Sequence, residues 1–485
     1  MLSNPLKQVE NVFNFVHKEN KAIDFNREQL LPEMYNNEGP HIASAAINND
    51  GNPDFYIGGA KGQAGKLFLS KEDKTYKEIT KPFNTNYTSE DTDAVFFDSD
   101  NDGDLDLYVC SGGKSFSKYD FSLHDRLYTN DGYHNFTRSK TQLPFKTPIS
   151  TSTVSVYDFD QDGDQDIFVG ERFKVETYGI PANGYLLENK GNNNYKISKQ
   201  KALENLGLIT DSTWEDINND GVKDLIISGE WMPISIFVTI EGKLVNKTKE
   251  FGFANSSGFW KTLKTVDIDA DGDIDIIAGN KGENTFFKEP MRMYVSDFDD
   301  NGTTEQIICY KKDNEYYPIV DRDELVSQIA SLKQQLLYYK NYATATMSSI
   351  FSKEQLEKAT IRDIEMTQST IFINNNNIYT AKRLPNEIQY SNVATIETVD
   401  INNDGNLDIL FGGNQYLVKP QFGRQDASQG WLLYGNKDKK EFGKVVSLQI
   451  KGQIRDFKNS KINGKKYILT AINNDSLKFL DFSGF

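Results

Sequence analysis

Residues 267–275 read DIDADGDID. Asp267, Asp269 and Asp271 put carboxylates at alternate positions of one tight turn, Gly272 permits the bend that follows, and Asp275 closes the set from the start of the next strand. Oxygen-only donors on a flexible loop suit a hard cation of calcium's size better than magnesium, which demands a stricter octahedron. An EF-hand would need Glu at the twelfth position and flanking helices, but that position is Ala278 in an apolar run. The pattern is therefore a strand-loop-strand calcium site.

Alone, such a match could be an acidic hairpin turn, since Asp, Asn and Gly are also turn residues. Recurrence decides against that. DSDNDGDLD supplies Asp98, Asp100, Asp102 and Asp106, and DFDQDGDQD supplies Asp158, Asp160, Asp162 and Asp166. DINNDGVKD offers Asp216, Asn218, Asp220 and Asp224, and DINNDGNLD offers Asp400, Asn402, Asp404 and Asp408, with asparagine as a neutral oxygen donor. DFDDNGTTE is a looser variant with Asp297, Asp299, Asn301 and Glu305. AINNDGNPD keeps Asn48, Asp50 and Asp54, but Ala46 replaces the first carboxylate, so this loop is expected to be weak or empty.

Each loop lies between extended runs such as TDAVFF and LYVCSGG, and most repeats carry two further strands, as in RLYTND and NFTRSK. Four strands per repeat, at a period of about fifty to sixty residues, predict an all-β fold, a β-propeller with a metal loop after each innermost strand. The chain, 1–485, reads as one such domain. The last segment has strand rhythm but no acidic loop and lacks a fourth strand. The opening segment NVFNFVHKENKAIDF is expected to supply it, closing the ring with strands from both ends.

The glycine spacing breaks after Gly272. Residues 281–362 are expected to be an insertion in the fifth blade, a hairpin plus two helices. Leu325, Ile329, Leu332 and Leu336 lie on one face of the first helix, and Ser352 and Gln355 have capping-box spacing for the second. This gives seven blades; counting the insertion as a blade gives eight. The insertion is also a candidate for partner docking, because Leu337, Tyr338 and Tyr339 extend the apolar stripe.

Composition bounds the function. Lys and Arg number 54 against 70 Asp and Glu, a formal charge of −16 that disfavours nucleic acid and favours cations. Cys110 and Cys309 sit in separate apolar runs and read as core residues. No apolar run approaches the length of a membrane span, and MLSNPLKQVENVF lacks the pattern of a signal peptide. The four histidines, His17, His41, His124 and His134, form no metal spacing, and there is no nucleophile elbow, P-loop or dinucleotide fingerprint. Carboxylates repeated at one spacing fit structural metal sites rather than one general acid/base pair.

The segments LLPEMYNNEGPHIA, IGGAKGQAGKLFL, EDTDAVFFDSDNDGDLDLYVCSGG, DRLYTNDG, GEWMPISIF and AGNKGENT resemble the FG-GAP/VCBS-repeat propellers. The likeness is greater to the ASPIC/UnbV-associated group, common in Bacteroidetes and related to a cartilage acidic protein of animals. It implies a seven-bladed, integrin-like propeller with several calcium ions, generally exported, and no catalytic motif; no UnbV-like segment is found here. Loops of this kind also suit millimolar extracellular calcium. The expected location is therefore extracellular or at the outer-membrane surface, in an outer-membrane assembly or alone.

On the face opposite the calcium loops, the turns after each second strand converge on the axis and form a candidate ligand surface. They carry Glu171, Arg172, Glu230, Trp231, Asn280, Asn414 and Tyr416, with Lys61 and Arg424 nearby. Two functions remain: a non-enzymatic binding or scaffold module for a protein or glycan partner at the cell surface, and a polysaccharide lyase-like enzyme. A lyase needs a base and cations that neutralise a uronate carboxylate, and only Arg172, Lys61 and Arg424 could serve as those cations. The binding module is the preferred reading.

Overall fold

A computed structural model describes residues 5–436 and 442–484. Its strands form eight four-stranded antiparallel sheets, one extended by a two-residue fifth strand. The second strands, Asp106–Ser111, Asp166–Phe173, Asp224–Met232, Asp275–Gly279 and Asp408–Gly413, are buried at every position. Sheets pack on both of their faces, which is why they read as unbroken apolar runs rather than as alternation.

The first strands of seven sheets are Ile42–Ala45, Asp91–Phe97, Ser150–Tyr157, Leu208–Glu215, Thr262–Val266, Val393–Val399 and Gln453–Ile462. Each packs against the next, and the last meets the first, so together they line a central channel. Several are irregular at one level, with register shifts at 91/94, 151/153, 209/211, 393/395 and 454/456. Such bulges re-aim side chains. In the last sheet, Lys7–Val9 pairs with Lys478–Asp481, so the two ends of the chain share one sheet and the edge of the final strand is covered, but the closing strand lies just upstream of the segment NVFNFVHKENKAIDF expected to supply it. Phe13 locks this join, lying 4.2 Å from Phe68 and 5.1 Å from Phe479, ring centre to ring centre.

The fifth sheet is interrupted. Asp275–Gly279 pairs with Thr370–Asn375, and the intervening chain builds the eighth sheet from Met291–Ser296, Glu305–Lys312, Glu315–Pro318 and Thr360–Ile364. This is more than a hairpin with two helices. Thr360–Ile364 returns to pair with the first strand, giving an order in which that strand is flanked on both sides. The expected long helix is also shorter than its apolar stripe suggests. Asp321 caps Arg322–Gln328 with Glu324 completing a capping box, and Ile329 leaves helical geometry at φ −114°, ψ 84°. A 3-10 turn, Ala330–Lys333, follows. The break does not expose the stripe: Leu325, Ile329, Leu332 and Leu336 all reach one core with Ile307, Cys309, Ile350 and Phe351. Leu337, Tyr338 and Tyr339 remain exposed. The Ser352–Gln355 capping box forms as its spacing predicts. Both cysteines are free and buried, and among the described residues no helix is long and apolar enough to cross a membrane.

Candidate metal loops and central channel

Seven acidic loops share one backbone. The fourth residue of each, Asn49, Asn101, Gln161, Asn219, Ala270, Asp300 or Asn403, is left-handed with φ between 53° and 62°, and the sixth is a glycine with φ between 84° and 97°. Gly272 has open space around its α-carbon, so its requirement is the backbone angle and not close packing. The first carboxylate accepts from the glycine N–H: Asp98 from Gly103 at 3.0 Å, Asp158 from Gly163 at 3.1 Å, Asp267 from Gly272 at 3.1 Å. The ninth residue ties the loop to the third strand. Asp106 accepts from Asn130 N at 2.7 Å, Asp166 from Asn189 N at 2.7 Å and Asp275 from Asn374 N at 2.8 Å.

Among the described residues, four carboxylate triplets bring one oxygen of each member within 4.8 Å of the others: Asp98, Asp100 and Asp102; Asp158, Asp160 and Asp166, in which Asp160 also pairs with Lys190 at 2.8 Å; Asp267, Asp269 and Asp271; and Asp297, Asp299 and Glu305. In three of them a buried oxygen has no hydrogen-bond partner: Oδ1 of Asp98 and Asp100, of Asp269, and of Asp299. Burial and the neighbouring Asp102 and Asp98 raise Asp100, and burial with Asp271 raises Asp269, as expected of carboxylates crowded together without a counter-charge. Oxygen donors that repel one another around an unpartnered point fit calcium in chemistry and arrangement.

The remaining loops differ in their side chains. Asn218 Nδ2 donates to Asp220 at 3.0 Å, and Asn402 Nδ2 donates to Asp404 at 3.1 Å, so each amide partly neutralises its own loop. In the first loop, Asp54 accepts from Ile47 N, Ser70 N and Ser70 Oγ, while Asn48 Nδ2 donates to Ser70 O at 2.8 Å. Asn48 and Asp54 are turned toward the protein's own donors, and among the described residues this loop forms no carboxylate triplet, although Asp50 Oδ2 is buried without a partner.

The opposite face is built differently. Arg172, Glu230 and Trp231 do come together, but beneath the chain's own residues 33–38. Arg172 pairs with Glu38 at 3.0 Å and with Glu230 at 3.2 Å. Lys261 pairs with Glu230 at 2.5 Å and Glu33 at 3.2 Å, and Lys281 pairs with Glu33. Tyr178 donates to Glu230 at 2.9 Å and receives the Trp231 indole N–H at 2.9 Å. Burial alone would raise Glu230, yet Arg172 and Lys261 overcome it and hold the carboxyl at about 2.

The other candidate residues hold loops. Glu171 accepts from Lys174 at 2.6 Å, and Asn280 accepts from Phe259 N at 3.1 Å. Asn414 donates to the carbonyls of Ser428 and Gly452, each at 2.8 Å. The Arg424 guanidinium lies 3.5 Å over the ring of Tyr416, and Lys61 donates to Ser115 O at 2.8 Å. Sequence reasoning missed Glu33, Glu38, Tyr178, Lys281 and Arg455. The one signal for the first two was acid inside LLPEMYNNEG, where an apolar opening surrounds the glutamates.

The channel wall repeats one device at the bulges. Thr92 Oγ1 donates to Thr151 O at 2.9 Å, Ser152 Oγ to Ile209 O at 2.8 Å, and Thr210 Oγ1 to Trp260 O at 3.0 Å, the first two reaching the first strand of the next sheet and the third the residues just before it. One residue further along, Asp93 accepts from Val154 N, Asp211 from Leu263 N and Asp456 from Ile42 N, at 2.8 to 2.9 Å. The last of these crosses the junction between the seventh sheet and the first. Burial pushes Asp93 and Asp456 up to about 6.

Residues 47–109, which span the first two loops, match the FG-GAP-like repeat. No curated protein matches the chain. Among solved structures, the chain is similar to the WD40 domain of Neurospora crassa Pan2, at 9% identity over 100% of this chain and 98% of that one, with a TM-score of 0.45. A lectin from Agrocybe aegerita, described as recognising non-reducing terminal N-acetylglucosamine, is 12% identical over 86% and 81% of the two chains, with a TM-score of 0.43. The Dos1 propeller is 10% identical over 93% and 95%, with a TM-score of 0.39. These likenesses are at the level of fold, and the strand pairing itself carries the assignment of a repeat β-propeller.

Proposed function

We propose that this is a calcium-stabilised, exported propeller of seven blades that acts as a non-enzymatic binding or scaffold module for a protein or glycan partner at the cell surface. The observation that carries the calcium reading is the set of four carboxylate triplets, three with buried oxygens that lack any partner. Each joins two strands of its sheet, so a bound cation would fix the first and second strands where the loop would otherwise be pushed apart by like charge. The ASPIC/UnbV-associated motifs support export and a role outside the cytoplasm.

Two of the three cations that a lyase would need are engaged within the protein, while Arg424 is exposed in a surface pair with Asp426. Arg172 is buried between two glutamates, and Lys61 is bound to a backbone carbonyl. That supports binding over turnover. Metal analysis of protein purified without chelator should find several calcium ions per chain, and a screen of acidic and neutral polysaccharides should yield no unsaturated ends. Chain cleavage in that screen would replace the binding reading with an enzymatic one. Native full-length protein found in the cytosol on fractionation would refute the export reading.

A further inference from the structure

We propose that the closed end of the central channel binds the carboxylate of a small, hydroxylated monocarboxylic acid, with Arg455 as the anchoring cation. Arg455 is 5% exposed. Its guanidinium donates to Asn37 O at 3.2 Å, Asn414 O at 3.0 Å and Gln453 Oε1 at 3.2 Å, all of them neutral acceptors. Among the described residues no carboxylate pairs with it, whereas the neighbouring Arg172, Lys261 and Lys281 are all paired. A buried cation without an anion is costly and is the kind of group a ligand charge would complete. Three hydrogen bonds leave two of its five N–H groups free.

The local charge fixes the valence of the ligand. Glu33, Glu38 and Glu230 balance Arg172, Lys261 and Lys281. Arg455 is the one of these four cations without a direct ion pair; Glu38 and Glu19 act on it only at longer range, and with carboxylates already in the channel wall a singly charged ligand is admitted more readily than a dianion. The space fixes its size. Arg455, His41, Lys261 and Thr210 help to line a cavity of about 60 Å³, which has room for a carboxylate group but not for a sugar ring. Beyond it the channel widens to about 320 Å³ and runs between the first strands past Asp93, Asp211 and Asp456.

The body of the ligand must lie in that wider section. Its acidic walls already accept backbone N–H groups, and their remaining lone pairs can take hydroxyl donors, whereas an alkyl tail would strand them. The end nearest Arg455 is shut by residues 33–38, of which Glu33, Tyr35, Asn36 and Asn37 are nearly inaccessible. Entry is therefore from the side of the acidic loops. The inference depends on neither calcium nor a macromolecular partner.

The test is calorimetric titration of the calcium-loaded full chain with gluconate, acetate, hexanoate and inorganic phosphate at constant ionic strength. Gluconate should saturate one site, acetate and hexanoate should bind more weakly, and phosphate should not saturate. Arg455→Gln should weaken gluconate about tenfold or more, as loss of a charge-assisted hydrogen bond requires. Ala394→Leu narrows the same cavity without altering a charge and should also block binding, so it carries the test if Arg455→Gln does not fold. Lys353→Gln, at an exposed position of the inserted segment far in sequence from the channel strands, should leave binding unchanged. The proposal is overturned if gluconate does not saturate, if acetate or hexanoate binds as tightly as gluconate, if phosphate binds in its place, if gluconate binding survives the two cavity substitutions, or if a gluconate-soaked crystal places the carboxylate away from Arg455.

Discussion

The two ends of this propeller handle buried charge in opposite ways. At one end, acidic triplets such as Asp267, Asp269 and Asp271 have only one another and backbone N–H groups for company. At the other, Glu33, Glu38 and Glu230 are neutralised by Arg172, Lys261 and Lys281 from three different segments. On the calcium reading proposed above, the first arrangement would hand its repulsion to an external cation, whereas the second resolves it within the chain. Stability at the loop end should therefore depend on solution conditions, while stability at the opposite face should not.

The largest effect follows from removing calcium. A ligand at a hundredfold excess over its dissociation constant stabilises the native state by about 2.7 kcal/mol per site, and four triplets are present. Excess chelator should lower the melting temperature, and calcium should restore it. An unchanged melting curve in metal-free protein would break the comparison at its root.

Next in size is the paired network. Glu230→Gln leaves Arg172 and Lys261 without their shared carboxylate, and breaking a buried ion pair in this way costs about 3–5 kcal/mol. The loss should be the same with and without calcium. Asp271→Asn should show the crossover: destabilising in calcium, where a ligand is lost, and neutral or stabilising in chelator, where repulsion is relieved. Parallel behaviour of the two variants in denaturant titrations would erase the distinction.

That contrast also explains what the sequence revealed. Each triplet is written within nine consecutive residues, so spacing alone exposed it. The network draws Glu33, Arg172, Glu230, Lys261 and Lys281 from segments far apart in the chain, and no local pattern links them. Arg172, Glu230 and Trp231 were legible as candidates because they end the apolar runs of second strands, although the structure places them in the last residues of those strands and not in the turns expected after them; the residues 33–38 that cover them were not legible, since covering is a tertiary event. The same logic holds for the insertion. The stripe Leu325 to Leu336 was readable as a buried face, but not its break at Ile329, which is set by the core it fills. Thr360–Ile364 was unreadable as a strand of the inserted sheet because its partner lies far upstream.

A smaller, pH-dependent effect separates the chain's N-terminal segment from both ends. His17 is buried and accepts from Asn474 N through Nδ1 at 3.1 Å. Burial, with Arg455 and His41 adding to it, pulls its pKa from 6.5 to about 3. The unfolded chain therefore binds a proton that the native chain refuses between those values, and this group's contribution is lost as pH falls from about 6.5 toward 3. Asp93, Asp125 and Asp456, raised to about 6, act in the opposite sense, so total stability does not isolate it. The difference between wild type and His17→Gln does. The gap measured by denaturant unfolding should shift in favour of the variant by about 2–3 kcal/mol between pH 7 and pH 4. A constant gap would mean that His17 titrates normally.

The smallest effect lies inside the loop with which the sequence was first read. Its fourth residue is Ala270 at φ 53°, where four other loops have asparagine in the same left-handed conformation. An L-residue pays about 1–2 kcal/mol for that geometry, and asparagine recovers part of it through local hydrogen bonding. Asparagine here also reaches across to the next loop, as Asn101 Nδ2 does to Gly163 O at 3.1 Å and Asn219 Nδ2 does to Asp273 at 3.1 Å. Ala270→Asn should therefore stabilise the protein by about 1 kcal/mol, both with calcium and without it, because it relieves the backbone and not the charge. Ala270→Gly should gain less, since glycine accepts the angle but loses more entropy on folding and offers no bridge. If the asparagine gain appeared only in calcium, the strain at this position would belong to the metal-bound state, and loop geometry and cation binding would be one property rather than two.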